Sequence, residues 1–262
     1  MRITPIHAFT DNFIWLLQGE DLRHGVVVDP GDAAPVLAFF SVQGIQLDAI
    51  LVTHKHGDHI GGIDRLLQQF PGIPVYGPAH EPIGQVTERL REGDRVHPPG
   101  LGIDFAVMDV PGHTEGHIAY FAENDEYPVL FCGDTLFSVG CGRVFSGTHE
   151  QLHDALMRFS RLPDQTRVYC AHEYTLDNIG FAKWVEPDNA SLLHREQQAH
   201  QLIDAGQDTI PSTLAQEKAC NPFLRIHEES VIAAAEQHAG RAMLDSRDTF
   251  RTLRTWKDTE YD

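Results

Sequence analysis

The sequence predicts an α/β fold in which a strand-rich region precedes a helical one. Three observations carry this expectation. Short apolar runs recur through the first 172 residues, separated by Gly, Pro and Asp. From about Tyr174 the texture turns amphipathic and helical, without β-branched runs of strand length. With 262 residues, 42% hydrophobic and 22% charged, the chain has room for one large domain with an extension.

In order, the strand candidates are "NFIWLL", "HGVVVDPG", "LDAILVT", "IPVYG", "IDFAVMDV", "HIAYFA", "PVLFCGD" and "TRVYCAH". Each is a short apolar run bounded by turn residues. Helices are expected at 33–43, at "GGIDRLLQQF" and at "HEQLHDALMRFSRL", where Leu152, Leu156 and Phe159 follow the spacing of three and four. Further helices follow in "SLLHREQQAHQLIDAG", "STLAQEKA", "EESVIAAAEQHAG" and "RDTFRTLRTWK", with "EPDN" and "GQDTIPS" as turns between them. The division falls at 173/174: a first domain at 1–173 and a helical C-terminal domain at 174–262.

Charge and cysteine usage narrow the function classes. Against 20 basic side chains stand 38 acidic ones, a formal charge of -18 that disfavours nucleic acids and anionic membrane surfaces as partners. A small anionic substrate then needs a local basic patch. No run approaches the roughly 20 apolar residues of a membrane span. The segment "MRITPIHAFTDNFIWLLQG" is interrupted by Pro5, His7, Asp11 and Asn12, unlike a signal peptide. Cys132, Cys141, Cys170 and Cys220 have neither CxxC spacing nor the density of a disulfide scaffold, so reduced thiols and a cytoplasmic location are expected.

The chemistry concentrates in "THKHGDHIGG", directly after "LDAILV". A strand ending at Val52 delivers this loop to the edge of a sheet. His54 and His56 face one side in extended backbone, Asp58 keeps that phase, and His59 turns away or starts the next helix. Imidazole and carboxylate together suit zinc, iron or manganese. His113 in "DVPGHTEGH", Asp134 closing "PVLFCGD" and His172 closing "TRVYCAH" have similar placements. A single ion does not need all of these; two ions do. His117 opens a strand, and is either structural or a hydrogen-bonding partner of the cluster. The remaining histidines are read as structural or surface residues, and Cys132 and Cys170 as small buried packing residues.

"THKHGDH" resembles the T-H-x-H-x-D-H signature of the metallo-β-lactamase superfamily, which implies a four-layered αββα sandwich with a site at one edge of the sheets. That signature does not choose the reaction. "PGHTEGH", "FCGDTLFSVGCGRVFSG", "VYCAHEYTLDNIGFAKWVEPDN", "IPSTLAQEKACNPFLR" and the helical extension resemble the hydroxyacylglutathione hydrolase (glyoxalase II) family over essentially the whole chain.

The resemblance implies one metal on His54, His56 and His113, a second on Asp58, His59 and His172, and Asp134 bridging them. Zinc is the first expectation for these two divalent ions, with iron or manganese as alternatives. It implies a thiolester hydrolase that splits S-D-lactoylglutathione into glutathione and D-lactate, the second step of methylglyoxal detoxification. The attack comes from a hydroxide bridging the metals; no side chain acts as nucleophile, and Asp58 and Asp134 serve as ligands. Glutathione contacts are expected from Arg143, Tyr174, Arg254 and Lys257, with Asn178 as a further pocket residue. Phe145 stands where some relatives have tyrosine, so that contact becomes apolar packing or a lost hydrogen bond. A cytoplasmic monomer acting on a small glutathione thioester follows. A mononuclear iron enzyme acting on a glutathione adduct would need only His54, His113 and Asp134, and leaves the second ligand set unexplained. A non-catalytic scaffold held by the same ions is the other alternative.

Overall fold

The computed structural model describes residues 1–124 and 126–261. Cα packing divides the chain into two compact units, Met1–Asp109 with Thr114–Gly133, and Val110–His113 with Asp134–Asp262.

In the first unit, strands β1 (Arg2–Ala8), β2 (Asn12–Gln18) and β3 (His24–Val28) pair antiparallel. Helix α1 (Ala33–Gln43) then crosses to β4 (Gln46–Leu51), which lies parallel to β3. The short helix α2 (Gly57–Ile60) and α3 (Ile63–Gln69) lead to β5 (Val75–Pro78) and β6 (Glu88–Leu90), again parallel. Parallel neighbours need such crossovers, because a tight hairpin reverses the chain. α1 starts where the Asp32 side chain accepts from Ala34 N–H and stops at Gly44, whose φ of 66° takes the left-handed conformation that ends many helices. Val36 and Phe40 of α1 and Ile63 and Leu66 of α3 join Leu16, Val27, Ile50 and Val75 in one buried cluster. The antiparallel strands β7 (Arg95–Val96), β8 (Phe105–Asp109), β9 (Ile118–Ala122) and β10 (Val129–Gly133) complete this unit.

Because β3, β4 and β5 are parallel, their carboxyl ends open at one edge, the usual place for a site in such sheets. Asp29 follows β3 there and Thr53 follows β4. The chain is extended at His56 and turns helical at Gly57, so the alternating phase expected to carry Asp58 breaks one residue earlier. His59 does not start a helix either: it is the third residue of α2, whose first residue is Gly57. Strand β1 was not expected from the sequence. Its Pro5 obscures the pattern, yet β1 pairs residue for residue with β2 at the sheet margin, where a missing N–H is tolerated.

In the second unit, β11 (Leu136–Phe137) and β12 (Gly140–Cys141) form a tight hairpin. Helix α4 (His149–Phe159) carries a capping box between Thr148 and Gln151, and buries Leu152, Leu156 and Phe159 as their spacing predicts. β13 (Arg167–Cys170) is followed by α5 (Thr175–Val185), α6 (Ala190–Asp204), β14 (Ser212–Thr213), which pairs antiparallel with β13, α7 (Leu214–Cys220), α8 (Glu229–Ala239) and α9 (Ser246–Trp256). Ile179 and Ala182 of α5, Leu192 and Ala199 of α6 and Cys220 of α7 form a shared core with Val139. Past α9, the chain widens into a π-turn at Lys257–Tyr261.

Candidate metal centre

In the first unit the ligand loop is held from beneath by Asp29, a buried residue in the left-handed conformation at φ 51°. Its Oδ1 accepts from Thr53 N–H at 2.7 Å, and its Oδ2 accepts from the Thr53 hydroxyl at 2.7 Å. The same Oδ2 lies 3.0 Å from His59 Nδ1, which donates to it. Since the Thr53 proton goes to Asp29, the hydroxyl oxygen is left to accept from His54 Nδ1 at 3.0 Å. This hydrogen-bond network assigns both rings the Nδ1–H tautomer and keeps each Nε2 as a lone-pair donor for a metal. His117, wholly buried, stacks on His54 at 4.6 Å and braces it from the side. Asn12 donates to Asp58 Oδ2 at 3.0 Å. Gly31 lets the Asp58 backbone approach: a Cβ there would stand 1.7 Å from the Asp58 carbonyl oxygen.

In the second unit Asp134 lies between two imidazoles. Its Oδ2 is 3.4 Å from His113 Nε2, and its Oδ1 is 3.3 Å from His172 Nε2. His113 donates from Nδ1 to the Arg143 carbonyl at 2.8 Å, which turns its Nε2 toward the carboxylate. Gly142 permits this crowding, since a Cβ there would meet the Asp134 carbonyl oxygen at 1.9 Å. His172 has Tyr174 stacked on its face at 4.8 Å and Phe137 edge-on at 5.8 Å.

The donor atoms fit a metal. A tetrahedral ion with bonds of about 2.0–2.1 Å has ligand atoms about 3.3–3.4 Å apart. His54 Nε2 and His56 Nδ1 are 3.1 Å apart, and His59 Nε2 and Asp58 Oδ2 are 3.4 Å apart. With the two Asp134 contacts, each unit therefore presents two donor pairs at the separation of a coordination edge. Two carboxylates among imidazoles also suit divalent ions of borderline hardness.

Comparison with known proteins decides the family. Residues 9–172 match the metallo-β-lactamase superfamily model, and residues 173–260 match the model described as hydroxyacylglutathione hydrolase C-terminus. The chain is 48% identical over 256 residues to a hydroxyacylglutathione hydrolase of Nitrosomonas eutropha, covering 98% of each chain. It is 50% identical over 259 residues to one of Aliivibrio salmonicida, covering 98% of this chain and 99% of the relative. The chain belongs to the hydroxyacylglutathione hydrolase family.

Solved structures agree on its metallo-β-lactamase fold. ETHE1 from Myxococcus xanthus matches with a TM-score of 0.63 at 25% identity, over 87% of this chain and 91% of that one. TTHA1623, in a di-iron-bound form, matches with a TM-score of 0.59 at 25% identity, over 86% of this chain and all of that one.

The residues that the family resemblance assigned to glutathione recognition all fall in the second unit, with different surroundings. Arg143 has a half-exposed side chain, its Nε 3.5 Å from Asp258 Oδ1, while its carbonyl holds His113. Tyr174 lies on His172, and Phe145, largely exposed, lies edge-on to His113 at 5.2 Å. Asn178 is buried and donates to the Ser138 carbonyl at 3.0 Å, inside the hairpin region after Asp134. Arg254 is 1% exposed, bonded to Asp258 and to the Cys141 carbonyl. Lys257 is also buried, with Nζ 3.3 Å from Asp177 Oδ2.

Asp29 and Asn12 were missed in the sequence. "VVVDPG" read as a strand running into a turn, and only the close of β3 beside the ligand loop gives its aspartate a role. Asn12, inside "TDNF", carried no signal of its own.

Proposed function

We propose that this chain hydrolyses S-D-lactoylglutathione to glutathione and D-lactate, the second step of methylglyoxal detoxification. The observation that carries the reading is similarity to hydroxyacylglutathione hydrolases over 98% of the chain, including the C-terminal region that a generic superfamily member lacks. Its ligand sets are His54, His56, His113 and Asp134 for one ion, and Asp58, His59, His172 and Asp134 for the other. Ions held there would lower the pKa of bound water and polarise the thioester carbonyl.

The chain's own residues do the rest. Asp29 and Thr53 hold His59 and His54 with Nε2 presented for coordination, so little reorganisation is needed on binding. Asp134 offers a separate oxygen to each side, which suits a bridging ligand. Arg143, Tyr174, Arg254 and Lys257 serve the glutathione part, a tail with two carboxylates approaching a chain of net charge -18, Arg143 by direct contact and the buried Arg254 and Lys257 through their charge. A thiolate leaves with less assistance than an alkoxide, because the parent thiol has a pKa near about 8.5–9. No cysteine serves as nucleophile: all four are buried, and burial pushes the Cys141 thiol up to about 11.

Zinc is the first choice for both ions, and the di-iron form of a structural relative supports iron as an alternative. The protein acts as a cytoplasmic monomer. Four buried cysteines, none of them in a disulfide, support a reducing compartment, and no described helix is long and apolar enough to cross a membrane. Residues 1–173 act as the catalytic domain, and 174–262 contribute to the glutathione site. The test combines a metal count with an assay following loss of thioester absorbance of S-D-lactoylglutathione. Close to two ions per chain and activity abolished by strong chelation are expected; one ion at full activity removes the binuclear reading, and no thioesterase activity with two ions bound removes the substrate.

A further inference from the structure

Asp258 occupies an unusual position for an acidic side chain. Its Oδ1 accepts from Arg254 Nη2 at 2.7 Å and from Arg254 Nε at 3.1 Å. The same oxygen lies 3.5 Å from Arg143 Nε. One carboxylate oxygen thus faces two guanidinium groups that are distant in sequence. Both are cations assigned above to the anionic tail of the substrate, so this inference rests on that assignment.

The two pairings differ in firmness. Arg254 is buried, donates also to the Cys141 carbonyl at 3.0 Å, and has its guanidinium carbon 5.3 Å from the Phe223 ring centroid. It cannot leave Asp258 without stranding a buried charge. The Arg143 side chain is 51% exposed, and its contact with Asp258 is longer. Exposed pairs of this length contribute little and rearrange readily. An incoming carboxylate can therefore take Arg143 from Asp258 but not Arg254.

We propose that Asp258 is a specificity-determining residue that competes with the substrate's carboxylate for Arg143. It reduces the formal charge of the trio from +2 to +1. Small anions then gain little by approaching, while a ligand also anchored elsewhere in the site can displace the weaker pairing. Selectivity here comes from a repulsive element beside an attractive one. Lys257 beside Asp177 repeats the same pairing of cation and carboxylate a short way along the chain.

The experiment compares metal-loaded wild type with Asp258→Asn on two substrates, S-D-lactoylglutathione and the same thioester with both glutathione carboxylates esterified. Calorimetric binding of S-methylglutathione supplies a readout independent of turnover. Asp258→Asn should lower KM for the free acid and Kd for S-methylglutathione by about 2- to 10-fold, with the gain confined to the free acid over the diester. An unchanged or raised KM for the free acid, with metal content and melting temperature retained, overturns the proposal. If the variant loses metal or stability, Asp258→Glu decides instead, because it keeps the charge that Arg254 needs and extends it by one methylene. A KM at or above the wild-type value then supports competition, and a lower one overturns it. Wild type that handles diester and free acid equally well removes the anionic-tail assignment and this inference together; wild type that discriminates while Asp258→Asn gains nothing removes this inference alone.

Discussion

The loop at His54–His59 and the basic end of helix α9 are both charged and functional by assignment, yet they are built differently. Around the loop, ring nitrogens are fixed by short hydrogen bonds to buried partners: His59 to Asp29, and His54 to the Thr53 hydroxyl. Around α9, each cation is matched to a carboxylate of the same unit, Arg254 to Asp258 and Lys257 to Asp177. The first arrangement specifies direction, which coordination demands. The second balances charge, which a very acidic chain must do to admit an anion without binding every anion. Damage to the first should be severe, and damage to the second graded.

Asp134 is the sharpest test of the first half of that contrast. Asp134→Ala removes a carboxylate whose two oxygens face two different histidines, so it should lower retention of both ions and lose most turnover. Elemental analysis alongside the thioester assay checks it; two retained ions and near-normal turnover would mean another group bridges. A smaller loss is expected from Asp29→Ala. The ligands remain, but His59 and Thr53 lose their acceptor, and metal affinity should fall by about 10- to 100-fold. A chelator competition titration reads this directly. If affinity is unchanged while melting temperature drops, Asp29 only joins the ends of β3 and β4.

Arg143 probes the graded region. Arg143→Gln leaves the backbone carbonyl on His113 in place and removes only the side-chain cation. Losing one charge-assisted hydrogen bond, worth about 1.5–3 kcal/mol, should raise KM for S-D-lactoylglutathione by about 10- to 150-fold with kcat little altered. A thioester of the same acyl group on a small neutral thiol should be nearly indifferent to the change. Equal sensitivity of the two substrates would place Arg143 among the supports of the metal loop, and would weaken the contrast drawn between the regions.

The same contrast explains what could be read from the sequence. The candidate ligand histidines and aspartates stood out in the sequence because metal chemistry restricts both residue type and position, and the strands that carry them are apolar runs with clear ends. The supports were legible only in part: His117 could be read as a partner of the cluster, but Asp29 and Asn12 could not. Asp29 acts through a fold-dependent approach of two strand ends, and its side chain could as well have capped a turn. Helix α5 also passed unnoticed: "TLDNIGFAKWV" contains Asp177, Asn178 and an interior Gly180, and its apolar residues lie on more than one face, so periodicity does not mark it. For Arg254 and Lys257 the resemblance supplied a role in anion recognition, but only the structure shows the carboxylates set against them. Ion pairing between distant residues leaves no periodic trace.

The smallest expected effect lies in the cap of α9. Arg241 and the Leu244 N–H hold the Asp248 carboxyl down at about 2, below its ordinary value of 3.8. A carboxylate with a depressed folded pKa adds stability that is complete above the unfolded value and disappears as pH falls through the folded one. Asp248→Asn should therefore cost stability at neutral pH, and its gap to wild type should close as pH drops from about 4 to about 2. The gap should be small, about 1 kcal/mol or less, because Arg241 is half exposed and water screens the pair. Denaturant unfolding of metal-stripped wild type and variant measures it without the protonation of ligand histidines entering the difference. A gap that stays constant across that range would assign the role of Asp248 to its shape at the helix start and not to its charge. A gap that closes would make the α9 region a place where carboxylates tune positive charge by small amounts, in contrast to Asp29 and Asp134, where a carboxylate sets the direction of a ligand.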